Sequence, residues 1–183
     1  MTEELIIRHC SPTLAGLKTG NMFSYPDSCK ESLINEIRKI NISLKKKGVR
    51  IIPLEKKENK TLLYIYRPNK LQKDLEEETA RKILEEHGYK DIRSSSCISK
   101  LIKKLKESKD FPHEVGLFLG YPPEDVNGFI KNKAGNSKCV GHWKVYGDKE
   151  EATKLFEKYK KCTSIYCQHW KEGETLENLC VAV

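Results

Sequence analysis

His9 and Cys10 are the first residues whose types and spacing suggest chemistry, because they run directly into Ser11-Pro12-Thr13-Leu14-Ala15-Gly16-Leu17-Lys18-Thr19-Gly20. That stretch offers approachable backbone N–H groups at two glycines, several hydroxyls and one positive charge, the donor set an anionic ligand needs. Cys10 and His9 form the candidate catalytic pair. Ser11, Thr13, Gly16, Lys18, Thr19 and Gly20 are the candidate ligand-binding residues beside them. A thiol facing such N–H groups and a lysine has a lowered pKa and becomes nucleophilic. The opposing reading makes Cys10 a small buried hydrophobe.

Two familiar anion sites are excluded by spacing. A tyrosine-phosphatase loop needs an arginine six residues after the cysteine, where this chain has Gly16. Its cation, Lys18, lacks the bidentate fork. A Walker loop needs an earlier glycine than Gly16-Leu17-Lys18-Thr19 supplies.

A second set, Cys139, His142, Cys162 and Cys167, could join Cys10 around a metal, haem or iron–sulfur centre, since thiolate and imidazole together suit zinc or iron. A continuous C-terminal helix opposes this, because residues five apart lie about 140° around its axis. Such a helix puts Cys162 on an apolar face with Leu155, Phe156, Tyr159, Tyr166 and Trp170. The spacing therefore predicts core packing for Cys162. Strand alternation likewise sends Cys139 and His142 to opposite faces.

The third set is His113-Glu114 with Tyr121-Pro122-Pro123-Glu124-Asp125. His113 and Tyr121 are candidate ligand-binding residues that would close the pocket begun at Cys10. The competing roles are helix capping for the carboxylates and surface exposure for His113. Glycines and prolines at 116, 120, 122, 123 and 128 are dense for a connector, which predicts close approach of a ligand or of the first loop to this backbone.

The elements that must position these groups follow from periodicity. Residues 4–10 read as a strand; Leu33, Ile37, Ile40 and Leu44 predict a helix ended by Gly48. Residues 49–54 and 61–67 predict a hairpin, 71–87 a helix, and Ile98, Leu101, Ile102 and Leu105 another. Val115 to Leu119 fits a short helix or a buried strand; Glu124 to Asn132 predicts a helix. Cys139 to Tyr146 reads as a last strand, followed by a helix that Asp148 and Glu151 would cap. The implied fold class is α+β, a two-layer α/β sandwich with a small mixed or antiparallel sheet of about four strands. Its ferredoxin-like form would carry a helical insertion at about 94–132 within a single domain, 1–183.

The chain has 183 residues, 38% hydrophobic and 33% charged, with a net charge of +8. The excess is concentrated early: residues 1–67 hold 13 basic and 7 acidic side chains, with Lys45-Lys46-Lys47, Arg50 and Lys56-Lys57 the most visible. A solvated face explains the lysine run, and attraction for phosphate or RNA is its rival. Nucleic acid is the less favoured partner because no aromatics are interleaved. No apolar run approaches a membrane span, and the acidic Met1-Thr2-Glu3-Glu4 is not a secretory start. Seven cysteines, an odd number, are expected as reduced thiols in a cytoplasmic protein.

The long motifs His9 to Asn21, His113 to Val126, Trp143 to Gly147 and Lys160 to Thr163 resemble, together, a family of bacterial proteins common in anaerobes and known only as a domain of unknown function. The resemblance implies a cytoplasmic single-domain protein and no activity, so it assigns no catalytic residue and no cofactor. Two function classes follow from the residues themselves. One is a binding protein or thiol-dependent enzyme for a small anionic ligand at the His9-Cys10 to Gly20 loop. The other is a cysteine- and histidine-dependent metal, haem or iron–sulfur protein. An RNA-binding module is the weaker third.

Overall fold

In a computed structural model, which describes residues 2–26, 30–108 and 110–182, the chain divides into two compact units. The first comprises residues 1–69 and 159–183, and the second residues 70–158. This division does not follow the expected insertion at about 94–132.

The first unit opens with a helix, α1 (Thr2–Leu14), where a strand over 4–10 was expected. Its buried residues, Ile6, Ile7, Cys10 and Leu14, are each 0–1% exposed and recur at helical spacing. Glu3 and Glu4 sit favourably in its first turn, and Arg8 reaches Glu4 at 2.9 Å one turn away. The stretch through Pro12 therefore belongs to the helix, and only residues 15–19 form the loop.

Then come β1 (Gly20–Pro26), α2 (Lys30–Leu44), a 3-10 turn at Lys45–Lys47, and the hairpin of β2 (Arg50–Lys57) and β3 (Lys60–Tyr66). The sheet order is β1-β3-β2, antiparallel at both pairings, so β1 and β2 run parallel and are joined by α2. This is the split β-α-β arrangement that starts a ferredoxin-like sheet. The odd-numbered strand residues Phe23, Tyr25, Ile51, Leu63 and Ile65, with Val49 just before β2, form one core with the apolar stripes of α1 and α2. That gives two layers, helices on sheet.

The second unit is mainly helical: α3 (Pro68–Glu76), whose first two residues belong to the first unit, and α4 (Glu78–Glu86), then α5 (Ser94–Glu107), α6 (Val115–Phe118) and α7 (Pro123–Lys131). The single helix expected over 71–87 breaks at Glu77, whose carboxylate accepts the Ala80 N–H at 2.9 Å and starts α4. Residues 115–119 adopt the helical alternative.

The expected last strand is instead a two-residue hairpin, β4 (Cys139–Val140) and β5 (Lys144–Val145), separate from the main sheet. Local alternation still holds: Trp143 and Val145 are buried, and His142 is exposed. Asp148 caps α8 (Lys149–Lys171), accepting from Glu150 and Glu151 N–H at 2.9 and 3.0 Å. A short α9 (Leu176–Leu179) returns the chain to the first core.

Candidate functional site

The residues expected to form one pocket fall in different units: His9 to Gly20 in the first, His113 and Tyr121 in the second.

Around His9 to Gly20 the polar groups serve the fold. His9 is exposed and stacks on Phe23 at 5.6 Å, whereas Cys10 is fully buried in the core one residue on. Burial pushes the Cys10 thiol well above its ordinary pKa, outweighing the nearby Lys18 charge. The environment is the reverse of the lowered-pKa thiol expected from sequence. Ser11 donates to the Ile7 carbonyl, and Thr13 Oγ1 donates to Asn21 Oδ1 at 2.8 Å.

The loop N–H groups are consumed as well. Ala15 N bonds Ser11 O at 2.8 Å, Gly16 N bonds Thr13 O at 3.1 Å, and both Leu17 N and Lys18 N reach Pro12 O. Gly16, at φ 75°, makes this left-handed closure of the helix end. An anion cradle needs those donors free. Lys18 is only 4% exposed, and burial lowers its pKa to about 8.

Arg67, which sequence reading passed over, completes the closure. Its Nε and Nη2 donate to Thr13 O at 2.7 Å and Leu14 O at 2.6 Å, the last carbonyls of α1. Nη1 reaches Lys47 O at 3.0 Å, and Nη2 also reaches Val181 O at 2.7 Å. One buried guanidinium thus ties three chain segments to its own through four neutral acceptors.

The metal alternative is likewise divided, with Cys139 and His142 in the second unit and Cys10, Cys162 and Cys167 in the first. α8 continues through Thr163-Ser164 without a break, and Cys162 is buried, its thiol raised to about 11 by desolvation. Among the described residues no three His, Cys, Asp or Glu side chains are grouped to hold a metal ion. Cys10, Cys97, Cys139, Cys162, Cys167 and Cys180 are all free; Cys29 lies outside the described residues.

The second unit contains a hollow of about 160 Å³ whose wall carries His113 and Tyr121 together with Phe111, Phe129, Trp143 and Lys144. His113 meets Phe129 edge-on at 5.1 Å; Tyr121 stacks on Trp143 at 4.7 Å and donates to His142 O at 3.2 Å. Burial raises the Tyr121 phenol above its ordinary value. Lys144 Nζ lies 6.0 Å from the Phe129 centroid and donates to Ala134 O at 2.6 Å. Two further donor positions on that ammonium are unaccounted for by this bond.

Asp125 holds this wall in place. It is 3% exposed, accepts Trp143 Nε1–H at 2.6 Å, and accepts Tyr146 N–H and Gly147 N–H at 2.7 Å each. α7 is thereby fastened to β5, and the indole plane is fixed. The dense glycines permit the same closeness: a Cβ on Gly116 would lie 2.7 Å from Val126 Cγ2, and one on Gly128 would lie 2.4 Å from Tyr146 Cγ. The neighbours that approach this backbone are the side chains of Val126 and Tyr146, where a ligand or the first loop was expected.

Sequence reading reached His113 and Tyr121 but missed Phe111, Phe129 and Lys144 as wall residues. It placed Asp125 only as a cap. The available signal was compositional: glycines and prolines bracketing an aromatic segment.

The chain matches, over residues 6–180, the family described as "Protein of unknown function (DUF3793)", and it belongs to that family. No curated protein and no solved structure matches it. Among the described residues no helix is long and apolar enough to cross a membrane.

Proposed function

We propose that this chain is a small-molecule-binding protein whose ligand places one compact, planar group in the hollow of the second unit. The observation that carries this reading is the wall itself: four aromatic rings and an imidazole around about 160 Å³, with the indole locked by Asp125. Ligand pockets are concave, mostly apolar and finished by a few fixed polar groups. A cavity of this size accepts a single ring, so the rest of the ligand lies outside it. Lys144 and the exposed His113 border the hollow and can meet an anionic substituent on that ring, which keeps the anionic class expected from sequence at a different place. A cytoplasmic location with reduced thiols fits the free cysteines and is part of this proposal.

The test uses Trp143 as reporter. The chain has two tryptophans, so a Trp170→Phe background isolates its emission. Titration with benzoate, nicotinate and adenine is expected to give saturable quenching with at least one probe, lost in Phe129→Ala. Quenching that is absent with all three, or unchanged by Phe129→Ala, would overturn the proposal.

A further inference from the structure

The first unit has a separate groove of about 600 Å³ where the end of α2 meets the start of β2, bordered by Asn41, Ile42, Lys45, Gly48, Arg50 and Asn69. None of its lining residues is acidic. Lys45 and Arg50 are both exposed, and among the described residues neither is held by a carboxylate. Several exposed cations elsewhere lie directly on acids, as Arg81 does on Glu85 at 2.8 Å and Lys82 on Glu78 at 2.6 Å. The groove thus keeps its positive charge unspent. The first unit as a whole carries 16 basic against 10 acidic side chains, the second 18 against 16.

Several of the groove's donors are used within the protein. Gly48 N is used by Lys45 O at 3.2 Å and Val49 N by Leu44 O at 3.4 Å. Asn41 occupies the outer edge of β2, its amide pairing with both the N–H and the carbonyl of Ile51 at 2.9 and 2.8 Å. That blocks addition of another strand at this point. What remains for a ligand is side-chain chemistry: the Lys45 ammonium, the part of the Arg50 fork not bonded to Tyr66, and the Asn69 amide. Beside them Ile42 is 77% exposed and provides an apolar surface.

We infer that this groove binds a small phosphorylated organic molecule of nucleotide size, its phosphates on Lys45 and Arg50 and its organic part against Ile42. Two cations bordering one groove without a competing acid favour a polyanionic group, and arginine adds bidentate geometry to phosphate. The volume lies in the range of small-molecule sites. RNA is the less suited occupant, because base stacking needs aromatic platforms and the groove lining has none. The inference does not depend on the hollow in the second unit.

Calorimetric titration of the full chain with ADP, inorganic pyrophosphate and a short single-stranded RNA tests it. ADP is expected to bind at one site and more tightly than pyrophosphate. Lys45→Gln and Arg50→Gln should each weaken ADP by at least about tenfold, whereas Lys82→Gln should not. Both sites are exposed, and circular dichroism checks that each variant is folded. The inference fails if neither ADP nor pyrophosphate binds, or if ADP affinity is the same in Lys45→Gln. It also fails if RNA binds and ADP does not compete with it.

Discussion

The segment His9 to Gly20 and the hollow of the second unit have nearly opposite relations between composition and use. The first is rich in donors, yet its hydroxyls, loop N–H groups and nearby arginine are engaged with the protein's own carbonyls. The second is poor in polar groups, yet its rings border an open volume and one wall is held rigid by a saturated carboxylate. A donor already paired stabilises the fold and cannot also recognise a ligand without breaking that bond. Spare bonding capacity and unfilled space, rather than residue type, separate a site from a joint.

The strongest challenge to this contrast is Asp125→Ala. It removes the acceptor for three donors at once, and each buried donor left unsatisfied costs about 1–3 kcal/mol. A loss of about 3 kcal/mol or more is expected in denaturant unfolding, together with a red shift of the emission of the buried Trp143. A loss below about 1 kcal/mol would mean that Asp125 does not fix the wall.

Arg67→Met probes the other region in the same way. Four carbonyls of α1, the Lys47 turn and the C-terminal segment lose a charged donor, and hydrogen bonds to charged groups are worth about 1.5–3 kcal/mol each before compensation by water. The expected net cost is about 2–4 kcal/mol. Ring-probe binding to the hollow should survive in the folded fraction, since the contacts removed are all in the first unit.

The two regions also differ in how legible they were. Helix α2 and the β2–β3 hairpin could be read because one period governs each: Leu33, Ile37, Ile40 and Leu44 for the helix, β-branched and aromatic runs for the strands. α1 was misread because Leu5-Ile6-Ile7 imitates a strand and Ser11-Pro12-Thr13 imitates a loop, while the spacing of residues 6, 7, 10 and 14 carried the helix. The hollow was half legible. His113 and Tyr121 belong to a conspicuous segment; Phe111 lies just before it, Phe129 and Lys144 come from other stretches, and none of the three shares a period with them. Arg67 could not be read as a joint, because its acceptors are backbone carbonyls and carry no residue signature.

Lys18 supplies a pH-dependent version of the contrast. Its folded pKa, about 8, lies below the ordinary 10.5, so the unfolded chain binds more protons between those values. Stability contributed by this group therefore rises as pH increases from about 8 to 10.5, and below about 8 the buried ammonium destabilises the fold. Urea midpoints measured across that window should rise relative to Lys18→Met, which lacks the titration. Parallel profiles for the two proteins would show that Lys18 is solvated, and the first region would regain an available cation.

The smallest effect concerns thiol access, and it sharpens the contrast most cheaply. Cys10 is 0% exposed and its thiolate is disfavoured by desolvation, whereas Cys139 is half-buried in the hairpin of the second unit. Alkylation requires both the thiolate and a path for the reagent. In native protein at neutral pH, a limiting alkylating reagent should therefore label Cys139 well before Cys10, as read by peptide mass spectrometry. Cys10 labelling should then proceed only through opening of the first core, so its rate should increase with urea in step with unfolding. If Cys10 were labelled first and independently of urea, the end of α1 would be open in solution, its donors could be exposed with it, and this joint would become the nucleophilic site its composition first suggested.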